Sequence, residues 1–121
     1  MWVALGSRYS GIFSNDDNLA QQAVDSGKLC GERIVAFPMD SDYKIGLKST
    51  IADVKQCSME PEADHILAAL FLSRFVGKTP WIHMDLSASR NTGGLGAVGS
   101  DVTGFGVGWG LQMVQTILKN R

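Results

Sequence analysis

The chain has 121 residues, 45% of them hydrophobic and 19% charged, with a formal net charge of −1. That length suits one domain or part of one, and that composition can bury a core. The near-neutral balance predicts neither a nucleic-acid partner nor attraction to an anionic membrane.

The opening run MWVALGSRYSG lacks a basic leader and a long apolar stretch, so it does not read as a secretory signal. It starts apolar, with no polar lead-in, as a chain beginning inside a fold would. Trp2–Leu5 and Tyr9–Phe13 read as strands separated by Gly6-Ser7. Asn15 is the expected N-cap of a helix, with Asp16 and Asp17 at its positive end. Leu19, Ala20, Ala23 and Val24 share one helical face, and Gly27 is the expected stop. Arg33–Phe37 reads as a short strand ended by Pro38. Ser41 can cap a turn or two through Leu47, and Ile51–Cys57 fits no pattern clearly. A second helix is expected from Pro61, with Ile66, Leu67, Leu70, Phe71 and Val76 inward and Gly77 at its end. Pro80–Ala88 reads as a buried strand, and Ser89–Asp101 as a glycine-rich loop. Thr103–Lys119 closes the chain as a helix with Leu111, Val114, Ile117 and Leu118 inward. Gly106, Gly108 and Gly110 would each cost a helix interior about 1 kcal/mol relative to Ala. They therefore point to close packing near the helix start, or to a later start.

Val102–Leu118 is the most apolar tract, but Gln112 and Gln115 interrupt it and it holds four glycines. A spanning helix needs about 20 mostly apolar residues, so a soluble protein without a membrane segment is expected. Strands and helices alternate, which predicts an α/β fold: a layered sheet with helices packed on it, in a single domain over residues 1–121.

Gly94–Gly99, GLGAVG, has the G-x-G-x-x-G spacing of a dinucleotide fingerprint. That motif must follow a strand directly and open a helix, whose amides hold the phosphates. Here the strand ends near Ala88, and Asp101 would repel a phosphate, so the glycines read as a tightly turned loop. His83 and Asp85 lie two apart and share a strand face, but no H-x-x-x-H spacing exists and His65 is the one other histidine. They read as a structural pair, not metal ligands. Cys30 and Cys57 are too few for a disulfide framework and read as reduced thiols, with Cys57 as a small buried residue. No G-x-S-x-G elbow supports a nucleophile triad. Glu60, Glu62, Asp64 and His65 gather ahead of the second helix, either as ordinary first-turn charges or as an acidic rim to a site.

The order of five further segments carries a resemblance. ALGSRYSGIFSNDDNLAQQAVDSG, FPMDSDY, LKSTIADVKQC, AALFLSRFVGKTPWIHMDLSA and DVTGFGV, in that order, resemble the C-terminal part of the catalytic domain of the cytosolic leucyl aminopeptidase family. LKSTIADVKQC is similar to the family's LKS..AD..N.G, PWIHMDLSA to PWAHLDIAG, and DVTGFGV to GATGRPV. The resemblance implies a partial leucyl aminopeptidase-like fold and hydrolysis of the N-terminal residue from peptides. It also implies a cytoplasmic enzyme that assembles as a homo-hexamer and uses two divalent metal ions, zinc or manganese. Two such ions about 3.5–4 Å apart activate a water and stabilise the developing oxyanion.

The family's metal-ligand and catalytic motifs, such as NTDAEGR, do not occur in these residues. No catalytic residue and no metal ligand is therefore assigned, and the chain is expected to be an inactive C-terminal fragment. The resemblance places Cys57, Ser87 and Arg90 at positions that line the pocket for the first substrate residue. Ser87 stands where alanine is usual. Its hydroxyl can make that wall more polar or bond local backbone. SMEPEADH replaces the family's GGRPAGA, and TGFG its TGRP. The acidic Glu60, Glu62 and Asp64 are expected to favour substrates with basic groups. The alternative reading is a non-catalytic α/β interaction or scaffold module that retains the fold.

Overall fold

The computed structural model describes residues 2–57 and 62–120. The central strand β1 (Ser10–Ser14) pairs in parallel with β2 (Ile34–Ala36) and antiparallel with β3 (Ile82–Asp85), giving a mixed sheet in the order β2-β1-β3. The expected layered α/β architecture is thus present. Neighbouring residues of a strand point to opposite faces, and β1 uses both. Ile12 packs with Ala23, Ile34, Ala88, Phe105 and Met113 on one side. Phe13 packs with Leu47, Ile66, Ala69 and Leu70 on the other. Both residues are fully buried, so the strand is covered on both faces.

Several boundaries differ from the sequence reading. Trp2–Leu5 is a single helical turn (α1), not a strand, and Gly6 at φ 63 ends it. A four-residue apolar run fits either conformation, and the left-handed glycine after it belongs to a helix end.

Helix α2 spans Asp17–Cys30, and its N-cap is Asp16 rather than Asn15. The Asp16 carboxylate accepts from the Leu19 amide at 2.8 Å. Asn15 instead reaches across the sheet: its Nδ2 donates to the Thr79 carbonyl at 2.9 Å, and its Oδ1 accepts from the Trp81 amide at 2.9 Å. It thereby fixes the entry to β3. Gly27 does not stop α2 either. It is buried inside the helix, where a Cβ would lie 2.6 Å from the Glu32 carbonyl and 2.7 Å from Ile34 Cγ1. The stop is Gly31, in the left-handed region at φ 78.

A 3-10 helix (Ser41–Leu47) leads through a bent segment to α3 (Asp64–Ser73). Pro61, the expected start of that helix, lies outside the described residues. Beyond Ser73 the chain turns through Val76 to Gly77, so the expected helix end is a short run of turns.

Helix α4 (Val107–Lys119) begins four residues later than Thr103. Its inward face is also corrected. Trp109, Met113 and Ile117 meet the core, while Leu111, Val114 and Leu118 are more than half exposed. The helix is apolar on two sides, so periodicity could not select the side that packs. The α2 contact does: Ser26 Oγ lies 3.3 Å from Thr116 Oγ1, and Trp109 Nε1 donates to the Ala23 carbonyl at 2.9 Å.

Candidate substrate-pocket wall

Cys57 lies at the end of the bent segment after the 3-10 helix. It is exposed, correcting the buried reading, and neither cysteine forms a disulfide. It borders a cleft of about 210 Å³ whose walls include Gly46, Leu47, Lys55, Asp64 and Leu67. Beside it the 3-10 helix sits tightly on α3. A Cβ at Gly46 would come within 2.9 Å of Leu67 Cδ2.

Ser87 follows β3. Its hydroxyl donates to the Tyr9 carbonyl at 2.5 Å. That hydroxyl therefore ties two backbone segments together. Ser10, fully buried on β1, completes this corner: its Oγ accepts from the Ser87 amide at 3.2 Å and the Ala88 amide at 3.4 Å. Arg90 is exposed and forms a bridge with Val102. The cleft at Cys57 includes neither Ser87 nor Arg90 among its walls. Ser87 and Arg90 thus lie along one segment after β3, and Cys57 borders a cleft beside α3.

The glycine-rich loop is a closed antiparallel excursion. Asn91 N donates to Asp101 O at 2.8 Å and Thr103 N to Ser89 O at 3.1 Å. At its tip Leu95 and Val98 exchange two backbone bonds around Gly96 and Ala97. Gly94, at φ 88, has the Val98 carbonyl 2.0 Å from where a Cβ would stand. The Asp101 carboxylate accepts from the Gly93 amide at 2.9 Å. These glycines make a tight hairpin, and no helix opens on Gly99, so the geometry of a phosphate-binding βα turn is absent. Asn91 anchors the loop to the start of the chain, donating from Nδ2 to the Ser7 carbonyl and accepting at Oδ1 from Ser7 Oγ.

Of the acidic group, Glu60 lies outside the described residues and Glu62 is exposed. Asp64 is committed to its neighbour: Oδ1 lies 3.1 Å from His65 Nδ1 and accepts from the His65 amide at 2.7 Å. The His65 side-chain bond holds the Asp64 carboxyl below its ordinary value. His65 stands edge-on to Phe37, with centroids 5.2 Å apart, and tilts against Phe13. His83 lies opposite Phe13 in the β1–β3 register and stacks on Trp81. Burial lowers its pKa, partly opposed by the nearby Asp85 charge. Among the described residues no group of three or more His, Cys, Asp or Glu side chains could hold a metal ion.

Sequence reasoning missed Ser10, Glu32 and Asn91, whose side chains tie distant segments together. Glu32 reaches from the α2–β2 turn to the start of α4, where its Oε2 accepts from the Gly106 amide at 2.8 Å and the Trp109 amide at 3.3 Å. The left-handed Gly106 supplies no side chain to cap α4, so a distant carboxylate does so. The only signal in the sequence was a helix start rich in glycine with no Ser, Thr, Asp or Asn beside it.

Helices α2 and α4 pack on the Ile12 face of the mixed three-stranded sheet, and α3 packs on the Phe13 face. A profile described as the cytosol aminopeptidase family, catalytic domain, matches residues 1–109, and the chain belongs to that family. It is 38% identical over 119 residues to a probable cytosol aminopeptidase of Xanthobacter autotrophicus, covering 98% of this chain and 23% of the relative. It is 40% identical over 105 residues to probable cytosol aminopeptidase 1 of Shewanella oneidensis, covering 86% and 21%. Among solved structures, the bottromycin maturation enzyme BotP superposes with a TM-score of 0.90 at 32% identity, covering 98% of this chain and 27% of BotP. BotP has also been solved in complex with Mn. A tomato leucine aminopeptidase variant superposes at 0.85 with 29% identity, covering 95% and 22%. The chain thus spans about a quarter of the length of these relatives. No helix of the described residues is long and apolar enough to cross a membrane.

Proposed function

We propose that the chain is the C-terminal part of the catalytic domain of a metal-dependent aminopeptidase that removes the N-terminal residue from peptides. The match to the catalytic-domain profile over residues 1–109 carries this reading. In it, Cys57, Ser87 and Arg90 form part of the wall around the first substrate residue. The two divalent ions, zinc or manganese, are held by residues outside this chain, since the family's metal-ligand motifs do not occur in its sequence. The chain alone is then inactive, and the whole enzyme is a cytoplasmic homo-hexamer acting on peptides. The outer stripe of α4 supports an incomplete domain: Val107, Leu111, Val114 and Leu118 are exposed at helical spacing, a face that the rest of a domain would cover.

The test is a hybrid in which this chain replaces the matching quarter of the Xanthobacter enzyme. Metal-dependent release of leucine from leucyl amide, with none from the chain alone, is expected. A hybrid that assembles like the parent yet hydrolyses nothing would refute the proposal. Within an active hybrid, replacing Glu60, Glu62 and Asp64 by Ala should lower the preference for lysyl and arginyl over leucyl amides. An unchanged preference would remove the acidic-rim idea while leaving the peptidase reading in place.

A further inference from the structure

The β1–β3 ladder ends at the Gly11–Asp85 pair, and the chain after it leaves the sheet. Successive amides of an extended strand point to opposite sides. Here two successive amides, those of Ser87 and Ala88, converge on one atom, the Ser10 Oγ, at 3.2 and 3.4 Å. The backbone is therefore bent at this point, and a side chain replaces the carbonyl that a ladder would supply. Ser10 is fully buried, so an acceptor lost there is not replaced from bulk solvent.

The bend is held from the other side as well. Thr103 Oγ1 donates to the Ala88 carbonyl at 2.8 Å, and the Thr103 amide donates to the Ser89 carbonyl at 3.1 Å. Both backbone polar groups of Ala88 thus bond side chains, and its methyl is fully buried in the Ile12 core. With Ala88 turned inward, Ser87 is half-buried and Ser89 and Arg90 are exposed. Among the described residues the buried polar side chains are Ser10, Ser26 and Asn91. Ser26 meets another side chain, Thr116, and Asn91 holds Ser7. Ser10 alone of the three gathers two amides of the segment that carries Ser87 and Arg90.

We propose that Ser10 is a positioning residue for substrate specificity. Its hydroxyl sets the bend that presents Ser87 and Arg90 to the first substrate residue. This role rests on the reading in which those two residues border that pocket. A packing role alone would lower stability and leave selectivity intact; a positioning role changes KM and selectivity.

Kinetics of the active hybrid on leucyl and alanyl amides test it. Ser10→Ala should raise KM for leucyl amide about tenfold with kcat nearly unchanged, and lower the leucyl-to-alanyl ratio of kcat/KM about fivefold. Ser10→Thr, which keeps the Oγ, should retain the ratio. Ser26→Ala removes another buried serine, from the contact between α2 and α4, and should lower stability without moving the ratio. If Ser10→Ala does not fold, Ser10→Cys, similar in size but a weak acceptor, takes its place. Ser87→Leu, which adds bulk to the proposed wall, should shift the same ratio. A shift in Ser87→Leu beside an unchanged ratio in Ser10→Ala, or equal shifts in Ser10→Ala and Ser26→Ala, would overturn the role of Ser10 alone. An inactive hybrid, or an unchanged ratio in Ser87→Leu, would overturn the pocket reading and this role with it.

Discussion

Gly27→Ala sets helix propensity against packing, and the structure determines the sign. In an exposed helix interior the change stabilises by about 1 kcal/mol, because glycine loses more backbone freedom on folding. At position 27 the new methyl would stand 2.6 Å from the Glu32 carbonyl oxygen and 2.7 Å from Ile34 Cγ1. The carbonyl belongs to the backbone of the turn into β2, and Ile34 is a buried member of the core, so neither yields without moving the β2 edge. Overpacking of this kind costs about 1–3 kcal/mol, and carbonyl contacts inside 3.0 Å argue for the upper half of that range. The net expectation is a loss of about 1–2 kcal/mol. Gly110→Ala is the matched control. It lies inside α4, and a Cβ there meets nothing within 4 Å. It should gain up to about 1 kcal/mol. Urea unfolding followed by circular dichroism reads both as shifts of the midpoint at constant slope. Equal stabilisation by the two substitutions would refute the close approach of α2 to β2.

Other consequences are independent of that contact. Glu32→Ala removes the acceptor for the Gly106 and Trp109 amides and should cost about 1–3 kcal/mol, read in the same unfolding assay; Glu32→Gln should retain part of it, and a neutral Glu32→Ala would show that α4 needs no cap. His83 has a depressed pKa in the folded chain, so the unfolded chain binds its proton more readily. Its contribution is complete above the ordinary histidine value and is lost progressively as pH falls below that value through the lowered folded one. His83→Phe should flatten that part of the stability-against-pH curve, and an unchanged slope would exclude His83 as its source. Ser87→Ala in an active hybrid should lower stability by about 1 kcal/mol and leave the leucyl-to-seryl amide ratio unchanged, because the hydroxyl is spent on Tyr9; a shifted ratio would place that hydroxyl in the pocket instead.

Much of this protein was legible in the linear order of its residues. The run Tyr9–Phe13 marked a strand, and the spacing of Leu19, Ala20, Ala23 and Val24 marked the face of α2. The same order carried the family, since motif sequence survives even when three-dimensional partners are unknown. Such features are local: each depends on side-chain period or on residues a few positions apart. What the tertiary structure alone decided were the choices between equal local options. Asn15 and Asp16 can both cap a helix, and the cross-sheet bonds of Asn15 to Thr79 and Trp81 left the cap to Asp16. Gly27 and Gly31 can both end one, and the approach of Ile34 assigned Gly27 to packing and Gly31 to the stop. Helix α4 has two apolar sides, and contact with Ala23 and Ser26 chose the one bearing Trp109 and Met113. The Ser87 hydroxyl was committed by Tyr9, 78 residues away in the chain. Sequence periodicity carries no information about partners so distant, because they become neighbours only when the sheet forms.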